Sequence, residues 1–82
     1  MAYFYQKNYN GKQVPYTVHE NDKDKGMHIF IFFCDETYIG CVRYHVGGRY
    51  YNIIDDYSSN VINIDFEEEV QYFFDIIYKL ER

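Results

Sequence analysis

Tryptophan is absent from the chain, proline occurs once and cysteine twice. Two cysteines, Cys34 and Cys41, cannot build a disulfide-stapled scaffold, and reduced thiols make a cytoplasmic location the expectation. Long hydrophobic runs are missing too. The longest, Ile29 to Cys34, falls far short of the roughly 20 apolar residues that a membrane helix needs. The opening MAYFYQKNYNGK carries neither the basic nor the apolar region of a secretory leader. No membrane partner is expected.

Cations are scarce. Eight Lys/Arg stand against 13 Asp/Glu, for a net charge of −5. The imbalance is local: residues 1–54 hold six cations and five acids, residues 55–82 two cations and eight acids. Such a chain does not neutralise phosphates by bulk charge, so direct nucleic-acid binding is disfavoured and a protein partner with a basic surface is favoured.

The parts of an active site are also missing. There is no Gly-rich phosphate loop, no paired-carboxylate pattern, and no local signature around Ser58, Ser59, the cysteines or the three histidines. Cys41 and His45 lie four apart, roughly 13 Å along a strand, too far for a hydrogen bond. Cys34 and Cys41 are too widely spaced for a zinc pair. The segment 20–26 alternates charges, but counting back from Gly26 places Asn21, Lys23 and Lys25 where a calcium loop wants acids. The expectation is a protein without enzymatic activity, bound metal or cofactor.

What the chain has in excess is rings, 11 Tyr and 7 Phe among 82 residues. One domain, 1–82, is expected. A domain this size buries only roughly 60–65% of its unfolded surface, and each buried ring removes about 150–250 Å² from water. These rings exceed one small core, and half-exposed tyrosines suit a protein interface.

Asn10-Gly11 predicts a two-residue hairpin turn. The register then pairs Tyr9 with Lys12, Lys7 with Val14, Tyr5 with Tyr16 and Tyr3 with Val18, and gathers Tyr3, Tyr5, Val14, Tyr16 and Val18 on one face. Pro15 places its strand at an edge or a bend. Residues 20–26 read as a charged loop. A three-stranded meander follows: 27–34, a turn at Asp35-Glu36, 37–46, a turn at Gly47-Gly48, and 49–55. In plain register its core face is Ile29, Ile31, Phe33, Tyr38, Val42, Tyr44, Val46, Tyr51 and Ile53. The opposite face carries Phe30, Phe32, Ile39, Arg43, Tyr50 and Ile54. A short sixth strand is expected over Val61–Ile64.

Asp65 reads as a helix cap, with Glu67, Glu68 and Glu69 in the first turn and Lys79 and Arg82 at the end. Phe66, Val70, Phe73, Phe74, Ile77 and Leu80 form an apolar stripe. The fold class is α+β: a small antiparallel sheet of about five strands, a hairpin plus a meander, with one C-terminal helix packed on one face.

Two surfaces are candidates for function. Asp55, Asp56, Glu67, Glu68, Glu69 and Asp75, with Tyr72 as an aromatic anchor, form an acidic ridge able to imitate a row of phosphates. That ridge suits a small phage-type inhibitor of a nucleic-acid enzyme or defence complex, of the anti-CRISPR kind. The alternative is a homodimeric assembly module whose seam is the mixed sheet face: Phe30, Phe32, Ile39, Arg43, Tyr50 and Ile54.

Overall fold

The structure, a computed structural model, describes residues 1–24, 26–61 and 64–78, without the side chains of residues 22–24 and 61. Asn10 and Gly11 both sit at positive φ, 53° and 81°, as a type I′ turn requires. The Asn8 side-chain oxygen accepts the Gly11 N–H at 3.0 Å. The flanking strands β1 (Ala2–Tyr9) and β2 (Lys12–Asp24) pair in the expected register, Tyr5 opposite Tyr16 and Tyr3 opposite Val18.

β2 runs further than the charge pattern suggests. Residues 20–24, read as loop, continue the strand opposite β3 (Met27–Cys34), and Gly26 turns the chain at φ 76°. Pairing with β3 overrides the weak strand propensity of these polar residues. β4 (Thr37–His45) and β5 (Tyr50–Asp56) complete a five-stranded antiparallel sheet in the order β1-β2-β3-β4-β5. Hairpin and meander are thus one sheet, joined by the β2–β3 ladder.

The expected core face of the meander is corrected by that ladder and by two bulges. Val18 faces Phe32 and Tyr16 faces Cys34, so the apolar face of the first hairpin continues onto Phe30, Phe32 and Cys34. Ile29, Ile31 and Phe33 point the other way. On β4, Phe33 faces Tyr38 but Phe32 faces Gly40, which leaves Ile39 as an extra residue. Between β4 and β5, Cys41 faces Asp55 while Val42 faces Ile53, so Ile54 is extra. A one-residue slip exchanges the two faces of a strand. The bulge therefore brings Ile39, Val42 and Tyr44 to the same side as Phe30 and Phe32, and all five are buried.

Gly40 lies in the first of these bulges. A Cβ there would sit 2.7 Å from the Asp55 carbonyl oxygen and closer still to the Phe66 ring. The glycine thus lets the ring at the start of the second helix lie directly on the sheet.

After β5, Ser58–Val61 form one helical turn, α1. The sixth strand therefore does not start at Val61, and residues 62–63 lie outside the described residues. Ser58 is buried, and its hydroxyl donates to Asp56 Oδ1 at 2.7 Å. Asp65 is extended (φ −84°, ψ 102°), and its carboxylate accepts the Glu68 N–H at 3.2 Å, capping α2 (Phe66–Tyr72). The helix continues as a π-helical segment, Phe73–Tyr78. Lys79, Leu80 and Arg82 lie outside the described residues.

Phe66, Val70, Phe73 and Phe74 are fully buried. Phe73 meets Tyr3 at 5.3 Å, Phe30 at 5.5 Å and Phe32 at 5.3 Å between ring centroids. Phe74 stacks on Tyr51 at 4.9 Å and meets Phe30 edge-on at 5.2 Å. Wider π-helical spacing lets two adjacent pairs, Phe73-Phe74 and Ile77-Tyr78, reach this one cluster. Five fully buried phenylalanines, each worth roughly 1.5–3 kcal/mol in burial, carry much of the stability.

Candidate functional site

The acidic segment is less open than its sequence suggests. Glu69 is 4% exposed, because it sits on the sheet side of α2. Its carboxylate accepts from Lys7 Nζ at 2.6 Å and from the Tyr5 hydroxyl at 3.3 Å. Lys7 also lies over the Tyr72 ring, 4.7 Å from its centroid, so Tyr72 is half-buried against the first hairpin. Asp55 accepts from the Tyr38 hydroxyl and Asp56 from Ser58. Glu67 and Glu68 are exposed at the helix start, and Asp75 is half-buried. Of the seven ridge residues, Glu69 is therefore taken into an internal ion pair. No local pattern could announce this, since Lys7 and Tyr5 come from 62 and 64 residues away.

The expected sheet seam divides between two faces. Phe30, Phe32 and Ile39 are fully buried beneath the helix rings and are unavailable to a partner. Arg43 is half-buried on the outer face, while Tyr50 and Ile54 are 51% and 47% exposed. The outer face instead carries Ile29, Ile31, Phe33, Tyr38, Cys41 and Arg43, all half-buried. His19, Phe33, Tyr38 and Tyr57 form a row of ring contacts across it, at 5.5, 6.0 and 5.8 Å. At the opposite end His45 stacks on Tyr50 at 4.7 Å. Apart from Tyr57 at one corner, the ring contacts of the described helices fall on the other face. Phe4, 75% exposed, stands on the same face at the β1 edge, separated from Phe33 by Thr17 of β2.

A second polar cluster, built on Glu20 from the segment expected to be a charged loop, sits at the far end of the core face. Glu20 accepts from the Tyr3 hydroxyl at 2.9 Å, and His28 Nδ1 lies 2.6 Å from its other oxygen. The signal was present in the alternation Val14, Tyr16, Val18, Glu20, which puts the carboxylate on the core face of β2.

The remaining geometry bears on chemistry. Burial pushes both thiols, Cys34 and Cys41, above the ordinary cysteine value, which disfavours a nucleophilic thiolate at neutral pH. Among the described residues no group of three or more His, Cys, Asp or Glu is placed to hold a metal ion, and no helix is long and apolar enough to cross a membrane. An open groove of about 370 Å³ runs between the first hairpin and α2, lined by Lys7, Asn8, Tyr16, Asp65 and Glu68 among others.

Burial also raises the phenols of Tyr5, Tyr16 and Tyr38 well above the ordinary tyrosine value. The Glu69 carboxylate adds to the effect at Tyr5, the Cys34 contact at Tyr16, and Asp55 at Tyr38. The folded chain thus keeps protons that the unfolded chain releases near pH 10. Their contribution to stability is complete below about pH 10 and is lost as the pH rises beyond it. Denaturant midpoints from pH 8 to 11.5 should fall steeply at the alkaline end. The fall should be shallower in a Tyr5→Phe/Tyr16→Phe variant, and equal slopes would refute this account.

Comparison with protein-family models, curated proteins and solved structures found no match to this chain.

Proposed function

We propose that this chain is a non-enzymatic protein-binding module that docks through the outer face of its sheet. The observation that carries the reading is that face itself. It is apolar and aromatic across Ile29, Ile31, Phe33, Tyr38 and Cys41 of β3 and β4, and the ring contacts of α2 and the π-helical segment fall on the other side. Contiguous apolar surface of this kind marks an interaction site in a soluble domain, since it is otherwise an aggregation hazard. Thiols that burial holds above the ordinary cysteine value, and the enclosure of Glu69 in an internal ion pair, support the non-enzymatic part.

A second reading places the partner on the acidic segment. Glu67 and Glu68, exposed at the start of α2, and the net charge of −5 favour it. There the chain acts as a phage-type inhibitor, of the anti-CRISPR kind, occupying a basic groove on a nucleic-acid enzyme.

Two variants separate the readings in a capture experiment with the tagged protein. Ile31→Glu should abolish partner retention, and the pair Glu67→Lys/Glu68→Lys should leave it intact. The reverse pattern would move the site to the acidic segment. Light scattering should give a 10.0 kDa monomer at low and high salt. A salt-insensitive dimer lost in Ile31→Glu would make a second copy the occupant, the homodimeric alternative.

A further inference from the structure

The outer face holds a buried donor that finds no acceptor among the described residues. Arg43 lies at mid-strand on β4, between Ile29 of β3 and Asn52 of β5. Its Nε is buried and has no hydrogen-bond acceptor among the described residues. It takes no part in the Lys7–Glu69 or Glu20–His28 pairs. Donors in this state are uncommon, because an unmet buried polar group costs roughly 1–3 kcal/mol. The carboxylate of Asp55, on the neighbouring strand, is engaged by the Tyr38 hydroxyl. The strands thus set a planar guanidinium beside Ile29 and Asn52 and leave its Nε without an acceptor among the described residues.

We propose that Arg43 is the specificity residue of the docking face and receives a carboxylate from the partner: an Asp or Glu side chain flanked by aliphatic residues in a segment of another protein. The inference rests on the outer-face reading above. Charge and shape select the occupant. A guanidinium matches a carboxylate through two parallel hydrogen bonds, and the pair strengthens as the apolar surround excludes water. Ile29, Ile31 and Ile54 offer the partner's aliphatic neighbours a dry contact. A phosphate polymer would meet the same fork, but this chain's net charge of −5 opposes a polyanion. When a partner docks, rotation of the long Arg43 side chain lifts Nε from the sheet to meet the carboxylate.

The test uses the full chain and two synthetic peptides, acetyl-Ser-Ile-Glu-Ile-Ser-amide and its Gln counterpart, titrated by NMR. The Arg43 Nε–H signal is assigned by its loss in Arg43→Lys. The Glu peptide should move that signal and the Ile29 and Ile31 methyls saturably, and bind about tenfold or more tightly than the Gln peptide, as a charge-assisted pair implies. In Arg43→Gln, with its circular dichroism unchanged, the two peptides should bind alike. Equal binding of both peptides to the wild-type face would overturn the carboxylate role and leave the docking face standing. No movement of the Ile29 and Ile31 methyls with either peptide would overturn the docking face as well. A poly-dT decamer that moved the Arg43 signal where the Glu peptide did not would replace the carboxylate by a phosphate.

Discussion

Phe32→Glu should give a chain that does not fold, whereas Ile31→Glu, one residue away, should give a folded protein. Phe32 is fully buried, its ring edge-on to Phe66 at 5.4 Å and to Phe73 at 5.3 Å. Removing a buried phenylalanine costs about 3–5 kcal/mol, and a carboxylate with no partner in its place adds several more. A chain of 82 residues has about 4–12 kcal/mol in total, at about 0.05–0.15 kcal/mol per residue. Ile31 lies on the outer face and is half-buried, so the change there should cost within about 1 kcal/mol. Far-ultraviolet circular dichroism and proton NMR dispersion read both outcomes. A folded Phe32→Glu beside an unfolded Ile31→Glu would mean that the faces are the other way round.

Gly40→Ala is the second large effect. The added methyl would meet the Asp55 carbonyl at 2.7 Å and the Phe66 ring at still shorter range. A backbone oxygen in the β4–β5 ladder cannot move aside without breaking that ladder, and Phe66 is 1% exposed with no room to rotate. Overpacking of this sort costs about 1–3 kcal/mol or more, which urea midpoints will register clearly in so small a domain. Shortening the opposing side chain should return part of the loss: Gly40→Ala/Phe66→Leu should be less destabilised than the sum of its single variants. Strict additivity would show that the two positions do not touch.

Where the sequence carried two independent cues, the fold could be read from it. Asn10-Gly11 and a clean alternation agreed on the first hairpin, down to Tyr5 opposite Tyr16. Gly47-Gly48 likewise set Tyr44 opposite Tyr51, and Asp65 with the following acids set the helix start. β3 gave no such agreement. It is apolar at nearly every position, so neither face is marked, and only its pairing with Val18 and Tyr16 decides which faces inward. The cue to the bulge was Gly40 itself, since a glycine inside a strand signals a bulge or a close approach. The candidate surfaces were less legible for the same reason. Exposure follows from the face assignment, so Phe30, Phe32 and Ile39 moved from seam to core together. Glu69 moved inward because side chains from the other end of the chain were waiting for it.

The order of the strands also bears on how fast the protein assembles. Every ladder joins neighbours in sequence across a tight reversal, so each hairpin can close within about 1–10 μs with little loop entropy to overcome. The distant contacts, Tyr3 with Phe73 and Tyr5 with Glu69, form only when α2 and the π-helical segment settle on a sheet already in register. Mixed topologies of low contact order fold quickly for their size. Substitutions at Asn10 or Asp35 should then slow refolding, while those at Phe73 should mainly hasten unfolding.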